Sequence, residues 1–267
     1  MLHTAVQKGD SNLVKKLLTK SNVNERDDRK RTPLHIVASS GNESLFQLLV
    51  ATKKLDVNAQ DERGWTALHY AASKAYLSFC QALLSCKNIK PLLVNEDKNS
   101  PFLYICMLPL DTSEGSDFVT QYYKTLHAFL AKGIDINEKN KLGENGLHWA
   151  ARVGNIEAID FLCRNNCDVN AHNKYYFSGI FGIKFFLFIF VIFFSGFRVI
   201  RNLETPLLYA VKGKKVEIVR KILEFGANVT EGNHNYELLL KSAGSYTIKD
   251  LITGSSFSFF LPFILQF

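Results

Sequence analysis

Pairs of apolar residues recur four positions apart along this chain, and short polar turns separate the segments that contain them. Three segments show the pattern most clearly: Leu13, Val14, Leu17 and Leu18; Leu45, Phe46, Leu49 and Val50; and Ile218, Val219, Ile222 and Leu223. Positions i, i+1, i+4 and i+5 fall on one side of an α-helix. Each segment therefore predicts a short amphipathic helix with one buried face.

A second pattern precedes these helices. It reads LHTAVQKGD from Leu2, TPLHIVASSGN from Thr32, TALHYAASKAY from Thr66, SPFLYICML from Ser100, NGLHWAARVGN from Asn145 and TPLLYAVKGKK from Thr205. Its first apolar position advances by 32, 34, 34, 45 and 60 residues. Thr followed by Pro predicts a helix N-cap and first helical position, and Gly41 and Gly154 predict helix ends. The chain is thus predicted to contain five to six stacked helix–turn–helix units, with helices of about three turns.

The motif T-P-L-H-x-A-A, followed by a helix and then DVNAQ or DVNAH, resembles the ankyrin repeat, whose period is about 33 residues. The resemblance covers roughly 2–228 and implies an all-α repeat solenoid whose units are joined by β-hairpin-like turns. It also implies that the motif histidines tether the turn of a neighbouring unit; these are His3, His35, His69 and His148. Because neither end carries a polar capping unit, the chain is expected to be a fragment or mis-spliced form of a larger ankyrin repeat protein.

Two steps exceed this period. The step of 45 coincides with LPLDTSEGSD (108–117), which predicts a solvated loop inside the fourth unit. The step of 60 becomes 33 when the 27 residues 176–202 are removed. The predicted organisation is therefore repeats one to five in 1–175, an insertion at 176–202, repeat six at 203–235, a degenerate terminal repeat at 236–254 and a tail at 255–267.

The insertion has an unusual composition. Together with the tail it holds 14 of the 21 phenylalanines, and residues 179–200 contain one lysine before Arg198. Length and hydropathy make 179–200 a candidate transmembrane helix. A single span would, however, separate unit six from unit five across the bilayer. T-rich non-coding DNA translates into Phe, Leu, Ile and Val, so a retained intron is a second interpretation, also for the tail. A folded hairpin extension is a third.

Composition excludes several classes of function. The net charge of +7 is scattered with mixed signs, and no nucleic-acid partner is expected. The five cysteines form no metal motif and predict buried thiols, although Cys86 falls where it could be exposed. No catalytic, cofactor-binding or metal-binding motif is present. We therefore expect a non-enzymatic cytoplasmic monomer without a cofactor, or a membrane protein if 179–200 is a genuine span.

A protein-binding surface is the remaining prediction. The residue after the motif histidine position is aromatic in four consecutive units, Trp65 lies at a turn tip, and polar residues stand nearby. The predicted surface comprises Trp65, Tyr70, Ser73, Lys74, Tyr104, Trp149, Arg152 and Tyr209. Such aromatics are favoured interface anchors. The alternative is that they pack between units. The expected function is an adaptor, a scaffold or the ankyrin part of a signalling protein such as a kinase or exchange factor, with a membrane-tethered protein as the alternative.

Overall fold

The computed structural model describes residues 1–110, 115–174, 204–229, 239–244 and 246–258. Within these ranges, twelve helices form six pairs and no β-strand occurs. The first helices are α1 (Leu2–Gln7), α3 (Pro33–Ser40), α5 (Ala67–Ser73), α7 (Pro101–Cys106), α9 (Gly146–Val153) and α11 (Pro206–Lys212). The second helices are α2 (Ser11–Leu18), α4 (Glu43–Val50), α6 (Leu77–Ser85), α8 (Gly115–Ala131), α10 (Ile156–Arg164) and α12 (Val216–Glu224). A further helix, α13 (Tyr246–Ser258), follows, and its backbone runs across the boundary predicted at 254–255.

The helix ends follow the local sequence. Thr32, Ser100 and Thr205 are N-caps with a proline in the first turn, as predicted. Gly41 and Gly154 end α3 and α9 in the left-handed conformation, with φ of 73° and 88°. Apart from α8, the paired helices are six to nine residues long, so the prediction of three turns is wrong. Helices α3 and α9 are shorter because an N-cap and a left-handed glycine, only about two turns apart, delimit them.

The pairs stack into one continuous solenoid. Each first helix packs on the next, from α1 to α11, and α6, α8, α10, α12 and α13 pack in order on the other side. Phe46 and Phe79 join α4 to α6 with their rings stacked 4.0 Å apart. The first apolar motif position is at most 1% exposed in every unit. The predicted all-α solenoid is confirmed, although Leu13 of the first unit is 40% exposed.

The fourth unit differs from the predicted loop insertion. Helix α8 has 17 residues, whereas α6 has nine, and it already begins at Gly115. Leu108 is only 7% exposed, and its carbonyl accepts a hydrogen bond from Asn155 Nδ2 at 2.8 Å. The prediction of a solvated loop over 108–117 is therefore wrong at both ends, since extra helix and buried chain take up much of the added length. Residues 111–114 lie outside the described ranges.

The turn that contains the long insertion is closed by the same hydrogen bonds as the ordinary turns. In the turn before unit three, Asp61 N–H donates to Trp65 O at 2.9 Å, and Trp65 N–H donates to Asp61 Oδ1 at 2.9 Å. Before unit six, Asn173 N–H donates to Glu204 O at 3.1 Å, and Glu204 N–H donates to Asn173 Oδ1 at 3.0 Å. The partners are four residues apart in the first case and 31 in the second. The turn before unit six thus contains 27 more residues (31 minus four) between the same hydrogen-bonded positions.

The inserted block itself, 176–202, lies outside the described residues, as does the candidate span 179–200. Among the helices that are described, none has the length and apolar character needed to cross a membrane. Helices α9 and α11 nevertheless pack directly against each other, so units five and six are stacked with the insertion present in the chain.

Candidate protein-binding surface

The motif histidines hold the turns in place. His35 Nε2 lies 3.0 Å from Trp65 O, His69 Nε2 3.0 Å from Asn99 O and His148 Nε2 3.1 Å from Glu204 O. Their other ring nitrogen accepts from the backbone at the start of the same helix; Thr66 N–H is 3.1 Å from His69 Nδ1. Burial lowers the pKa of His69 and of His148 to about 4. These imidazoles are therefore uncharged at neutral pH, and their hydrogen bonds hold the next turn in place. The predicted tethering role is confirmed.

The turns and first helices present a row of aromatic rings, which we call the aromatic ladder: Trp65, Tyr70, Tyr104, Trp149 and Tyr209. The Trp65 ring lies 5.0 Å from Tyr70 and 4.8 Å from Tyr104, and Tyr104 lies 5.5 Å from Trp149. Tyr209 contacts the His148 ring at 5.7 Å. Because each unit repeats the same geometry, one template position generates a row of rings across several units.

The polar ends of the ladder bind residues of the same chain. Tyr70 OH donates to Asp61 Oδ2 at 2.8 Å, and Tyr104 OH accepts from Asn95 Nδ2 at 3.0 Å. Trp149 Nε1 donates to Glu144 Oε2 at 2.8 Å. Tyr209 OH donates to the other oxygen of the same carboxylate at 2.7 Å. These hydrogen bonds therefore fix the orientation of the four rings.

Glu144 is the centre of this network in units five and six. It is 1% exposed and also pairs with Arg152, whose guanidinium carbon lies 4.6 Å from the Tyr209 ring centre. Burial alone would raise the pKa of Glu144, but hydrogen bonds from Tyr209 and Trp149 and the charge of Arg152 hold it below its ordinary value. Glu144 therefore remains ionised and fixes Arg152 beside the ladder.

Burial divides the predicted surface residues into two groups. Tyr104 and Trp149 are 9% and 6% exposed, so the packing alternative describes these two. Trp65, Tyr70, Ser73 and Tyr209 are half-buried, whereas Lys74 and Arg152 are exposed. The surface formed by the first helices and the turns before them, which we call the first-helix face, thus offers half-exposed rings beside exposed cations.

Sequence reasoning missed the acidic partners of this face. Glu144 pairs with Arg152, and Glu204 pairs with Lys212 in the next unit. Each glutamate stands just before a helix N-cap, eight residues before its basic partner. Helical periodicity does not reveal these pairs, because each glutamate lies outside the helix that carries its basic partner. The only sign in the sequence was that a glutamate and a basic residue recur at the same two positions of two successive units.

The thiols are inert in this structure. Cys80, Cys106 and Cys167 are buried, while Cys86 and Cys163 are half-buried. Burial raises the pKa of Cys163 and of Cys167 to about 12, and it raises that of Cys86 as well. Within the described ranges, no group of three or more His, Cys, Asp or Glu side chains is arranged to hold a metal ion.

Known structures share this architecture. The human ASB11 ankyrin repeat domain superimposes with a TM-score of 0.68 at 18% identity, covering 94% of this chain and 96% of that one. The ankyrin repeat domain of Bcl-3, described as a unique member of the IkappaB protein family, gives a TM-score of 0.64 at 21% identity, covering 94% and 97%. At these identities the likeness establishes the fold, which is that of an ankyrin repeat domain.

Sequence comparison then establishes the family. The family profile described as ankyrin repeats (3 copies) matches residues 2–95 and 118–233. The chain belongs to the ankyrin repeat family. Human neurogenic locus notch homolog protein 1 is 26% identical over 174 residues, which is 65% of this chain and 5% of that protein. Its Xenopus laevis counterpart is 24% identical over the same length, so the match spans only a small part of either relative. Ankyrin repeat domains are protein–protein interaction modules.

Proposed function

We propose that this chain is a non-enzymatic interaction module that binds a partner protein at its first-helix face. The observation that carries the proposal is the aromatic ladder, whose half-exposed members Trp65, Tyr70 and Tyr209 lie beside Lys74 and Arg152. Aromatic rings held rigid by internal hydrogen bonds lose little entropy on binding, which favours them as contact residues. Tyr104 and Trp149 support these rings from beneath.

The role fits an intracellular adaptor or scaffold, or the ankyrin part of a larger signalling protein such as a kinase or exchange factor. Burial keeps its histidines neutral and its thiols protonated, which suits structural roles for these residues. This supports a function in protein binding rather than in catalysis.

Membrane tethering through 179–200 is the alternative function, and the closed turn argues against a single span. Asn173 and Glu204 lie within hydrogen-bond distance of each other, so the segment between them leaves and re-enters the solenoid at one place. One crossing would separate its ends by about 30 Å of hydrocarbon. Direct packing of α9 on α11 further supports both units lying in one compartment.

Site-specific photo-cross-linking tests the proposed face. A photoreactive residue placed at the exposed first-helix positions Ser40 and Lys74 is expected to capture a discrete partner in cells. The same residue at Lys16 and Gln47, exposed on the second helices, is the matched control. Equal capture from both faces, or capture from the control face alone, contradicts the proposal.

Binding of the captured partner then tests the ladder. Trp65→Ala is expected to weaken binding by about 2 kcal/mol, because a rigid ring is lost from the contact surface. Affinity is measured by titration calorimetry, with circular dichroism to show that the solenoid is still folded. An affinity equal to that of the unchanged protein overturns the role of the ladder.

A further inference from the structure

Much of the net charge of this chain lies where each first helix ends and in the turn that follows it. The eleven-residue spans that contain them run from each N-cap to the turn before the second helix: 1–10 (cut short by the chain start), 32–42, 66–76, 100–110, 145–155 and 205–215. These spans carry six basic residues and one acidic residue, whereas the remaining chain carries 26 basic and 24 acidic. If residues 111–114, with Asp111 and Glu114, are included, the spans carry six basic and three acidic residues. Without these four residues, the six spans carry +5 (six basic minus one acidic) of the +7 net charge, with three of the six basic residues in unit six.

Four of the six basic residues lie at the C-terminal ends of first helices: Lys8 and Lys74 are the C-caps of α1 and α5, Arg152 lies in the last turn of α9, and Lys212 ends α11. The other two, Lys214 and Lys215, lie in the turn between α11 and α12. Helix dipoles favour cations at these ends. The same dipole disfavours acidic side chains at Gln7 and Ser40, the last residues of α1 and α3.

Part of this positive charge has no partner in the described structure. Arg152 and Lys212 are neutralised by Glu144 and Glu204. Lys8, Lys74 and Lys214 are exposed, and none of them forms an ion pair among the described residues. The one acid of the spans, Asp10, accepts a hydrogen bond from Leu13 N–H at 2.9 Å as a helix cap. Lys74 follows Tyr70 by one helical turn, which places a free cation beside a half-exposed ring.

We infer that the first-helix face, together with the turns that follow the first helices, binds an acidic segment of another protein, in which carboxylates alternate with apolar or aromatic side chains. This inference rests on the proposed function and names the chemistry of the partner. Carboxylates would meet Lys8, Lys74 and Lys214, and apolar side chains would cover the half-exposed rings. Neighbouring helices pack about 8–10 Å apart, so an extended chain passes one unit every two to three residues. It can therefore place its acids opposite some units and apolar residues opposite others.

The spacing of the cations favours a peptide over a nucleic acid. Units two and four have no basic residue in these spans, and Ser39, Ser40 and Met107 occupy the corresponding positions. A nucleic acid carries a phosphate at every nucleotide, and its affinity depends on how many phosphates the protein contacts. The phosphates opposite units two and four would meet no basic residue. A protein segment can instead place its acidic residues only opposite the units that carry lysine.

Fluorescence anisotropy with designed peptides tests this inference on the full chain. The probe is a labelled peptide of glutamates with tyrosine at every fourth position, and its lysine and serine counterparts are the comparison probes. We expect only the glutamate peptide to bind, with an affinity that falls as salt rises. Lys74→Glu combined with Lys214→Glu should weaken binding about tenfold at low salt. The matched control, Lys16→Glu with Lys87→Glu, has the same net charge on other exposed surfaces and should change affinity less than twofold.

The outcomes separate this inference from the proposed function. Equal weakening by both double variants, stronger binding of the serine or lysine peptide, or tighter binding of a single-stranded oligonucleotide or an anionic vesicle overturns it. If cross-linking from Lys74 captures a partner whose contact segment is neutral or basic, the proposed function stands and the acidic-segment inference fails. If no partner is captured from the first-helix face, both fail.

Discussion

Units three and four each consist of two helices, but different hydrogen bonds and packing contacts hold them to the chain that follows. In unit three, His69 Nε2 reaches Asn99 O in the next turn. Asn58, in the turn before, bridges to the chain after the unit, donating to Asn88 O at 2.7 Å and accepting from Lys90 N–H at 2.8 Å. In unit four, leucines occupy the positions that correspond to His69 and Asn58: Leu103 is fully buried, and Leu92 is 53% exposed.

Side chains compensate for these lost bridges in unit four. The long helix α8 contributes Tyr122, whose hydroxyl donates to Ile105 O at 3.1 Å and accepts from Asn155 Nδ2 of unit five at 2.9 Å. Tyr104 packs edge-on against Trp149 of unit five, and Ser100 donates to the Glu138 carboxylate. A repeat array can thus exchange one standard set of backbone bridges for a set specific to one unit, and the two sets should respond differently to substitution and to pH.

The largest effect is expected for Trp149→Ala, because this ring joins unit five to the unit that lacks the bridges. The substitution should lower the free energy of unfolding by about 3–5 kcal/mol, measured by urea denaturation. Trp149→Phe keeps most of the ring and removes the N–H donated to Glu144, so it should cost about 1–2 kcal/mol. A loss below 1 kcal/mol for Trp149→Ala would falsify the view that the ladder helps to fasten unit four to unit five.

His69→Leu gives unit three the residue of unit four and should cost about 2–3 kcal/mol, since it leaves Thr66 N–H and Asn99 O without their buried partner. Because burial lowers the pKa of His69 to about 4, below its ordinary value, the unfolded chain binds the proton more readily. The contribution of neutral His69 to the free energy of unfolding is therefore fully present above pH 6.5 and is lost as the pH falls towards 4. Urea denaturation over this range should show a weaker pH dependence in the variant. His127→Leu, at an exposed histidine, is the control, and an equal loss there contradicts the bridging role.

Glu138→Gln tests the substitute contact of unit four. Burial raises the pKa of Glu138 to about 7, against the opposing hydrogen bond from Ser100. A raised carboxyl pKa means that stability is greatest below about pH 4.5 and is lost as the pH rises through 7. The variant should therefore be more stable than the unchanged protein by on the order of 2 kcal/mol at pH 8 and nearly equal to it at pH 5. Thermal unfolding at both pH values measures this, with the exposed Glu96→Gln as control. A gain that is the same at both pH values argues against titration of Glu138.

The smallest effect is expected for Leu92→Asn, which restores the missing asparagine. By analogy with Asn58, its amide would donate to Gly133 O and accept from Asp135 N–H. The gain should be about 0.5–1 kcal/mol, because hydrogen bonds at an exposed turn replace bonds to water and little apolar burial is lost. Leu92→Ala, measured in the same denaturation series, separates this gain from simple removal of the leucine. Equal stability of the two variants contradicts the bridge.

The sequence predicted what depends on short-range pattern. Caps such as Thr32, left-handed ends such as Gly41 and the histidine bridges recur in each unit, so their environment repeats with them. What escaped prediction depends on contacts between units. The Gly- and Ser-containing stretch before α8 has the composition of a loop, yet Tyr122 and its partners anchor a helix that begins at Gly115. Glu144 is buried among partners that include Tyr209, whose hydroxyl binds it from 65 residues away along the chain.

The closed turn at Asn173 and Glu204 has a consequence for how such arrays acquire new material. Closing a loop costs free energy that grows only with the logarithm of its length. By this relation, joining partners 31 residues apart rather than four costs about 2 kcal/mol more, which stacking of α9 on α11 can offset. A turn of this type can therefore contain a long insertion while two hydrogen bonds keep the register of the flanking repeats.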